Sequence, residues 1–179
     1  MLSQLTQAMV VNGVVLVAVL EGDLGPHRKI GALRILRPAL TAAGIVPLFI
    51  DQPVTHGAGL VLEVAGVVAG FLGGMAALSV MTVYRSPRTG KPVSHATTPY
   101  ALLWTAVIGA RAAFSYGSFH WFPHQLEHWC VTNRVTAAGI TDALIFMAVA
   151  MTLTRTIGLG TRAAALAPAT RTARVRATA

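Results

Sequence analysis

Glu63, Arg111 and Asp142 lie inside long apolar stretches of a chain of 179 residues that carries only six acidic residues. Ionisable groups in hydrocarbon are expensive and persist where they pair or act on an ion, proton or ligand. A guanidinium can take carboxylates bidentately, and an unpaired charge at the bilayer centre costs about 2.5–3.5 kcal/mol even on the lenient insertion scale. The three groups are therefore expected to meet at one level of the outer half of a helix bundle. With two carboxyls for one guanidinium, one acid is left able to carry a proton. Trp104, Ser115 and Ser118 fall near the Arg111 face at helical spacing and offer polar lining for a small pocket. Two roles stay open: a clamp that fixes helix register, or a site for a proton, an ion or a ligand.

A second set of chemistry-bearing residues runs from His120 to Cys130. His124, Glu127 and His128 match HxxEH, in which two histidines bind zinc and the glutamate acts as a base. A peptidase of that kind needs a further ligand, usually acidic. The only acid after Glu127 is Asp142, deep in the next apolar run, which argues against a peptidase. The string also resembles the last histidine box of membrane desaturases, which carry several such boxes on the cytoplasmic side. A simpler metal or haem site remains open: Pro123 can start a short helix with His124 and His128 on one face, and His120, Glu127, Cys130, Asp51 and His56 share that side. The competing reading needs no ligand. Trp121, Phe122 and Trp129 form an interfacial aromatic belt on an amphipathic segment at the outer surface. Cys130 is the only cysteine, so an intramolecular disulfide and a CxxC redox pair are excluded.

The elements that must position these residues follow from composition. With 54% hydrophobic residues, 11% charged residues and a mean hydropathy of +0.63, the chain is too apolar for an ordinary soluble domain. The expected fold is all-α, a polytopic transmembrane bundle of five spans near residues 9–20, 39–50, 58–83, 99–119 and 135–157. The N-terminus is expected outside and the C-terminus in the cytoplasm. Fourteen basic residues give a net charge of +8. Arg28, Lys29, Arg34 and Arg37 fall in the first inner loop, Arg85, Arg88 and Lys91 in the second, and Arg155, Arg162, Arg171, Arg174 and Arg176 at the end. That asymmetry is the positive-inside pattern and not a nucleic-acid footprint. Residues 1–158 are thus read as the membrane domain and 159–179 as a basic, disordered cytoplasmic tail lying against anionic lipid. Arginine far outnumbers lysine beside abundant Ala, Gly and Val, which suits a bacterial inner-membrane source.

On the third run Gly59, Glu63, Gly66, Gly70 and Gly74 share one helical face. Overlapping GxxxG steps let two backbones approach closely, either within the bundle or between two copies in a homo-oligomer. Glu63 on the same face points at a helix neighbour.

In layout the chain resembles the CcdC-like (DUF1453-type) small membrane proteins of unassigned function. The likeness rests on Arg34-Ile35-Leu36-Arg37-Pro38 leading into the second run, Leu62-Glu63 in the third and Gly109-Ala110-Arg111 in the fourth, within residues 10–158. It implies an outward N-terminus and a link to cytochrome c biogenesis, with no established catalysis. The leading expectation is a non-enzymatic, CcdC-like membrane protein with a structural, ligand-binding or biogenesis-accessory role. A small transporter or channel built on the polar centre, and a metal- or haem-binding membrane enzyme or electron-transfer protein built on the histidines, are the alternatives.

Overall fold

The computed structural model describes residues 4–31, 35–36, 40 and 57–166. The expected second span near 39–50, Asp51 and His56 fall almost wholly outside the described residues. The elements are α1 (Gln4–Asp23), β1 (Gly25–Lys29), α2 (Gly57–Ser79), β2 (Met81–Arg85), β3 (Pro92–Ala96), α3 (Thr98–His120), α4 (Pro123–Asn133) and α5 (Ala137–Ala165). The fold is mostly helical. Among the described residues two helices, α2 with a mean hydropathy of 1.9 and α5 with 1.7, are long and apolar enough to cross a bilayer, against the five spans expected. At ~1.5 Å per residue they extend about 35 and 44 Å, against a hydrocarbon core of ~30 Å.

Local chemistry sets the helix ends. Pro99 and Pro123 occupy the first turns of α3 and α4, where a missing N–H costs nothing. Thr136 caps α5, its Oγ1 accepting from the Gly139 N–H at 3.1 Å. Arg134 ends α4 in the left-handed region at φ 53°. The fifth run was expected to stop near 157, yet α5 continues to Ala165 and carries Arg155 and Arg162 inside the helix.

A three-stranded antiparallel sheet departs from the all-α expectation. Its order is β1-β3-β2, with Arg28 opposite Ser94, Met81 opposite Ala96 and Arg85 opposite Pro92. Thr82, Val83 and Tyr84 fit a half-buried strand, and Ser86-Pro87 with Gly90 at φ 63° makes the turn between β2 and β3. The α2 helix accordingly ends at Ser79, short of the Val83 limit expected from hydropathy, which cannot separate apolar strand from apolar helix.

Packing gives two helix pairs. A Cβ added at Gly66, Gly70 or Gly74 would run into the backbone carbonyl oxygens of Ala143, Met147 and Met151 respectively. Those partners ascend in step, so α2 and α5 run parallel with their backbones in close contact. The second pair, α1 with α3, is antiparallel: Asp23 at the end of α1 meets Tyr100 at the start of α3. The buried core lies between the pairs at the sheet end, where Ala77, Leu78, Met81, Ala96, Tyr100 and Trp104 gather with Ile108, Met151 and Leu159. Apolar side chains such as Val14, Val61, Leu72 and Leu102 point outward, 61–68% exposed. That is the inverse of a water-soluble surface.

Candidate functional site

Helices α1, α2 and α3 each join a strand directly, whereas among the described residues α5 has no strand beside it in the chain. Three arginines hold it to the sheet end. Arg162 donates from Nη1 to the carbonyls of Leu78 at 2.8 Å and Met81 at 3.3 Å, capping the end of α2. Arg85 on β2 donates from Nη2 to the Leu166 carbonyl just past α5. Arg155 reaches the other helix pair: its Nη1 donates to Asp23 Oδ2 and, at 3.0 Å, to the Tyr100 hydroxyl, while Tyr100 also donates to Asp23 Oδ2.

All three members of this cluster are buried. A buried ion pair is poor evidence of net stabilisation, because desolvation of both charges offsets their attraction. It does enforce one arrangement, since separating the charges leaves the Arg155 guanidinium buried without its carboxylate. Among the described residues, Arg155 Nε, Trp104 Nε1 and Thr156 Oγ1 are buried without a hydrogen-bond partner. Trp104 lies one turn from Tyr100, their rings 6.2 Å apart, so it belongs to this layer. Trp104 was expected near the Arg111 face of its helix; the seven residues between them keep that spacing and set them about 10 Å apart along α3.

The expected centre of Glu63, Arg111 and Asp142 divides between the pairs. Glu63 and Asp142 are buried at 6% and 8% exposure on α2 and α5. Extending the contact register of Gly66 with Ala143 by one turn sets Glu63 level with Ile140, so the two acids share a height. Gly59 is buried further along the same face. Arg111 is half-buried on α3, the helix packed against α1. Among the described residues no ion pair joins it to either carboxylate. Helix rise sets Arg111 ~16 Å above the Tyr100 level and Asp142 ~20 Å above Arg155, with buried Asn12 ~16 Å above Asp23. The polar layer remote from the sheet thus has a common height, with the guanidinium on one helix pair and the carboxylates on the other. Ser115 is half-buried, its carbonyl accepting from Ser118 Oγ at 2.8 Å.

The histidine string forms the short helix expected. His124 and His128 stand one turn apart, both exposed, along a shallow groove on α4 that includes Gln125, Trp129, Thr132 and Asn133. His120 is held elsewhere: its ring stacks on Tyr116 with centroids 4.3 Å apart, and its Nδ1 lies 3.2 Å from the Tyr116 carbonyl. Glu127 is exposed. Among the described residues no three His, Cys, Asp or Glu side chains group closely enough to hold a metal ion. The set His120, His124, His128 and Glu127 is therefore not assembled into a centre. Phe122 instead packs on Phe114 with ring centroids 5.9 Å apart, seating the start of α4 on α3.

Sequence reading missed Asp23 and Tyr100 and assigned Arg155 to a topology signal. A clue was present: Asp23 follows an apolar run, and Arg155 lies within another when α5 is drawn to its full length. Comparison with family models, with curated proteins and with solved structures finds no match, so the CcdC-like resemblance rests on its short stretches alone.

Proposed function

We propose that the chain is a five-span protein of a bacterial inner membrane, N-terminus outside and C-terminus in the cytoplasm, with a non-enzymatic ligand-binding or biogenesis-accessory role of the CcdC-like kind. The observation that carries this reading is the parallel α2/α5 pair, packed backbone to backbone through glycines while its other faces expose Val61, Val64, Phe71 and Leu72. Chain direction supports the span count. β1 follows α1 at the sheet end, and α2 starts at the opposite end. In this reading the sheet and the arginines lie on the cytoplasmic side and α4, with Trp121 and Trp129 exposed, lies at the outer interface. The outer polar layer is the site for a small charged ligand or a proton, because its acids are buried within the apolar pair.

Two experiments test this. Membranes washed with alkaline carbonate should retain the protein. In a Cys130→Ser background, Thr89→Cys in the hairpin turn should resist a membrane-impermeant maleimide applied from outside, whereas Gln125→Cys should react. Equal labelling of both would refute the topology. For the site, a hydrophobic carbodiimide should modify Glu63 or Asp142 in intact membranes, and absence of modification at acidic pH would count against a proton-carrying acid.

A further inference from the structure

Strands that begin one or two residues after a helix ends cannot stand away from it. β1 starts at Gly25 after Asp23 and β2 at Met81 after Ser79, while β3 ends at Ala96 before Thr98. If the helices span the bilayer, as proposed above, the sheet lies at the level of the lipid headgroups. At that level a groove of about 380 Å³ opens between the β2 strand and the last turn of α5. Met81, Val83, Ala165 and Leu166 give it apolar walls, and Arg162 adds a guanidinium. Arg85 stands at its rim through its bond to the Leu166 carbonyl.

We propose that this groove binds an anionic phospholipid, its phosphate held by Arg162 and Arg85 and its glycerol and first acyl carbons against Met81, Val83 and Leu166. The two arginines are already oriented. Arg162 uses Nη1 for its bonds to Leu78 and Met81, and Arg85 uses Nη2 for Leu166, which leaves further N–H donors of each planar guanidinium for phosphate oxygens. Both guanidinium anchors are fixed before a ligand arrives, so the side-chain entropy lost on binding is reduced. Local charge agrees: Arg28, Arg88 and Lys91 are exposed at this end, against one exposed acid, Glu21, while Asp23 is paired inside. A soluble anion would meet the same donors, but only a lipid also fills the apolar wall that faces the bilayer.

The test compares the full chain in nanodiscs of phosphatidylglycerol and of phosphatidylcholine, with native mass spectrometry counting co-purified lipid. Phosphatidylglycerol should be retained preferentially and should raise the melting midpoint. Ala165→Glu, at an exposed position on the groove wall outside both caps, should cut that preference about fivefold, the effect of about one surface charge. Arg88→Glu, which makes a larger charge change at the hairpin turn away from the groove, should leave most of it. Equal losses in the two variants, or no preference in the wild type, would overturn the proposal. So would displacement of the lipid by excess inorganic phosphate, which would mark the site as one for a soluble anion. Loss of the protein to the carbonate wash would defeat the membrane reading itself, whereas an inserted protein without lipid preference would defeat only the groove.

Discussion

Substituting Gly74 by alanine should separate α2 from α5, and the structure sets the scale of the damage. The added Cβ would lie 2.6 Å from the Met151 carbonyl oxygen and 2.7 Å from Thr154 Cβ. Ordinary contact begins near 3.4 Å, so the helices must part locally by about 0.8 Å. Neither obstacle is the tip of a flexible side chain; one is backbone and the other a β-carbon fixed by its helix. A gap of 0.5–1 Å forfeits roughly a quarter to a half of each dispersion contact along the seam, and overpacked sites of this kind cost about 1–3 kcal/mol. Alanine is the better helix former, which returns less than about 1 kcal/mol. Gly109 on α3 has nothing within 4 Å of its added Cβ, so Gly109→Ala carries the propensity gain without the collision. Thermal unfolding in one detergent should therefore show Gly74→Ala below wild type and Gly109→Ala at or above it. If the two variants shift the midpoint equally, the close parallel packing is refuted.

The buried cluster at the sheet end predicts a coupled pair: Arg155→Met alone should lower stability by about 3 kcal/mol, whereas Asp23→Leu with Arg155→Met should recover most of the loss, as a double-mutant cycle on the melting midpoints would register. Independent, additive losses would dissolve the cluster as a unit. Arg111→Leu separates two accounts of the outer layer. A clamp to the acids requires a clear loss, and the absence of an ion pair to Arg111 among the described residues predicts an unchanged or higher midpoint. His124→Ala with His128→Ala should shift the midpoint by no more than about 0.5 kcal/mol equivalent, both side chains being exposed. Gly117→Ala should loosen α4, because the new Cβ would lie 2.9 Å from Cζ of Phe122 and must push that ring off Phe114; faster proteolysis between α3 and α4 is the readout.

Periodicity made the glycine seam legible, because Gly66, Gly70 and Gly74 recur at a helical spacing that has few other uses in an apolar run. The extent of α3 and the start of α4 were legible for a related reason, with Pro99 and Pro123 marking their first turns. The sheet was not. Met81–Val83 is apolar enough to extend a helix, and pairing β1 with β3 depends on residues nearly 70 positions apart, information that hydropathy does not carry. The end of α5 was missed because Arg155 was read as a boundary. An arginine at the edge of an apolar run signals solvent or headgroup only when no buried acid stands opposite it, and its partner Asp23 lies 132 positions earlier.

That last failure bears on how charges are divided in this bundle. The sequence reading gave Arg111 to Glu63 and Asp142 because all three sit in apolar runs at matched heights, and height is what helix rise supplies. Azimuth and helix adjacency decide whether matched heights become contact. Asp142 and Arg155 are thirteen residues apart on α5, a rotation that puts them on different sides of the seam facing α2. Arg155 is thereby turned towards α1 and α3, where it meets Asp23 and Tyr100, and Asp142 is turned away from that docking face. The guanidinium that completes a buried ion pair is thus the one whose rotation agrees with the packing of helix pairs, and Arg111, correct in height, sits on the other pair. A revertant selection could expose this logic: suppressors of Arg155→Met should fall at Asp23, whose ion pair with Arg155 is broken, and not at Glu63 or Asp142. Suppressors at the outer acids would mean that the two polar layers share their charge across the apolar core.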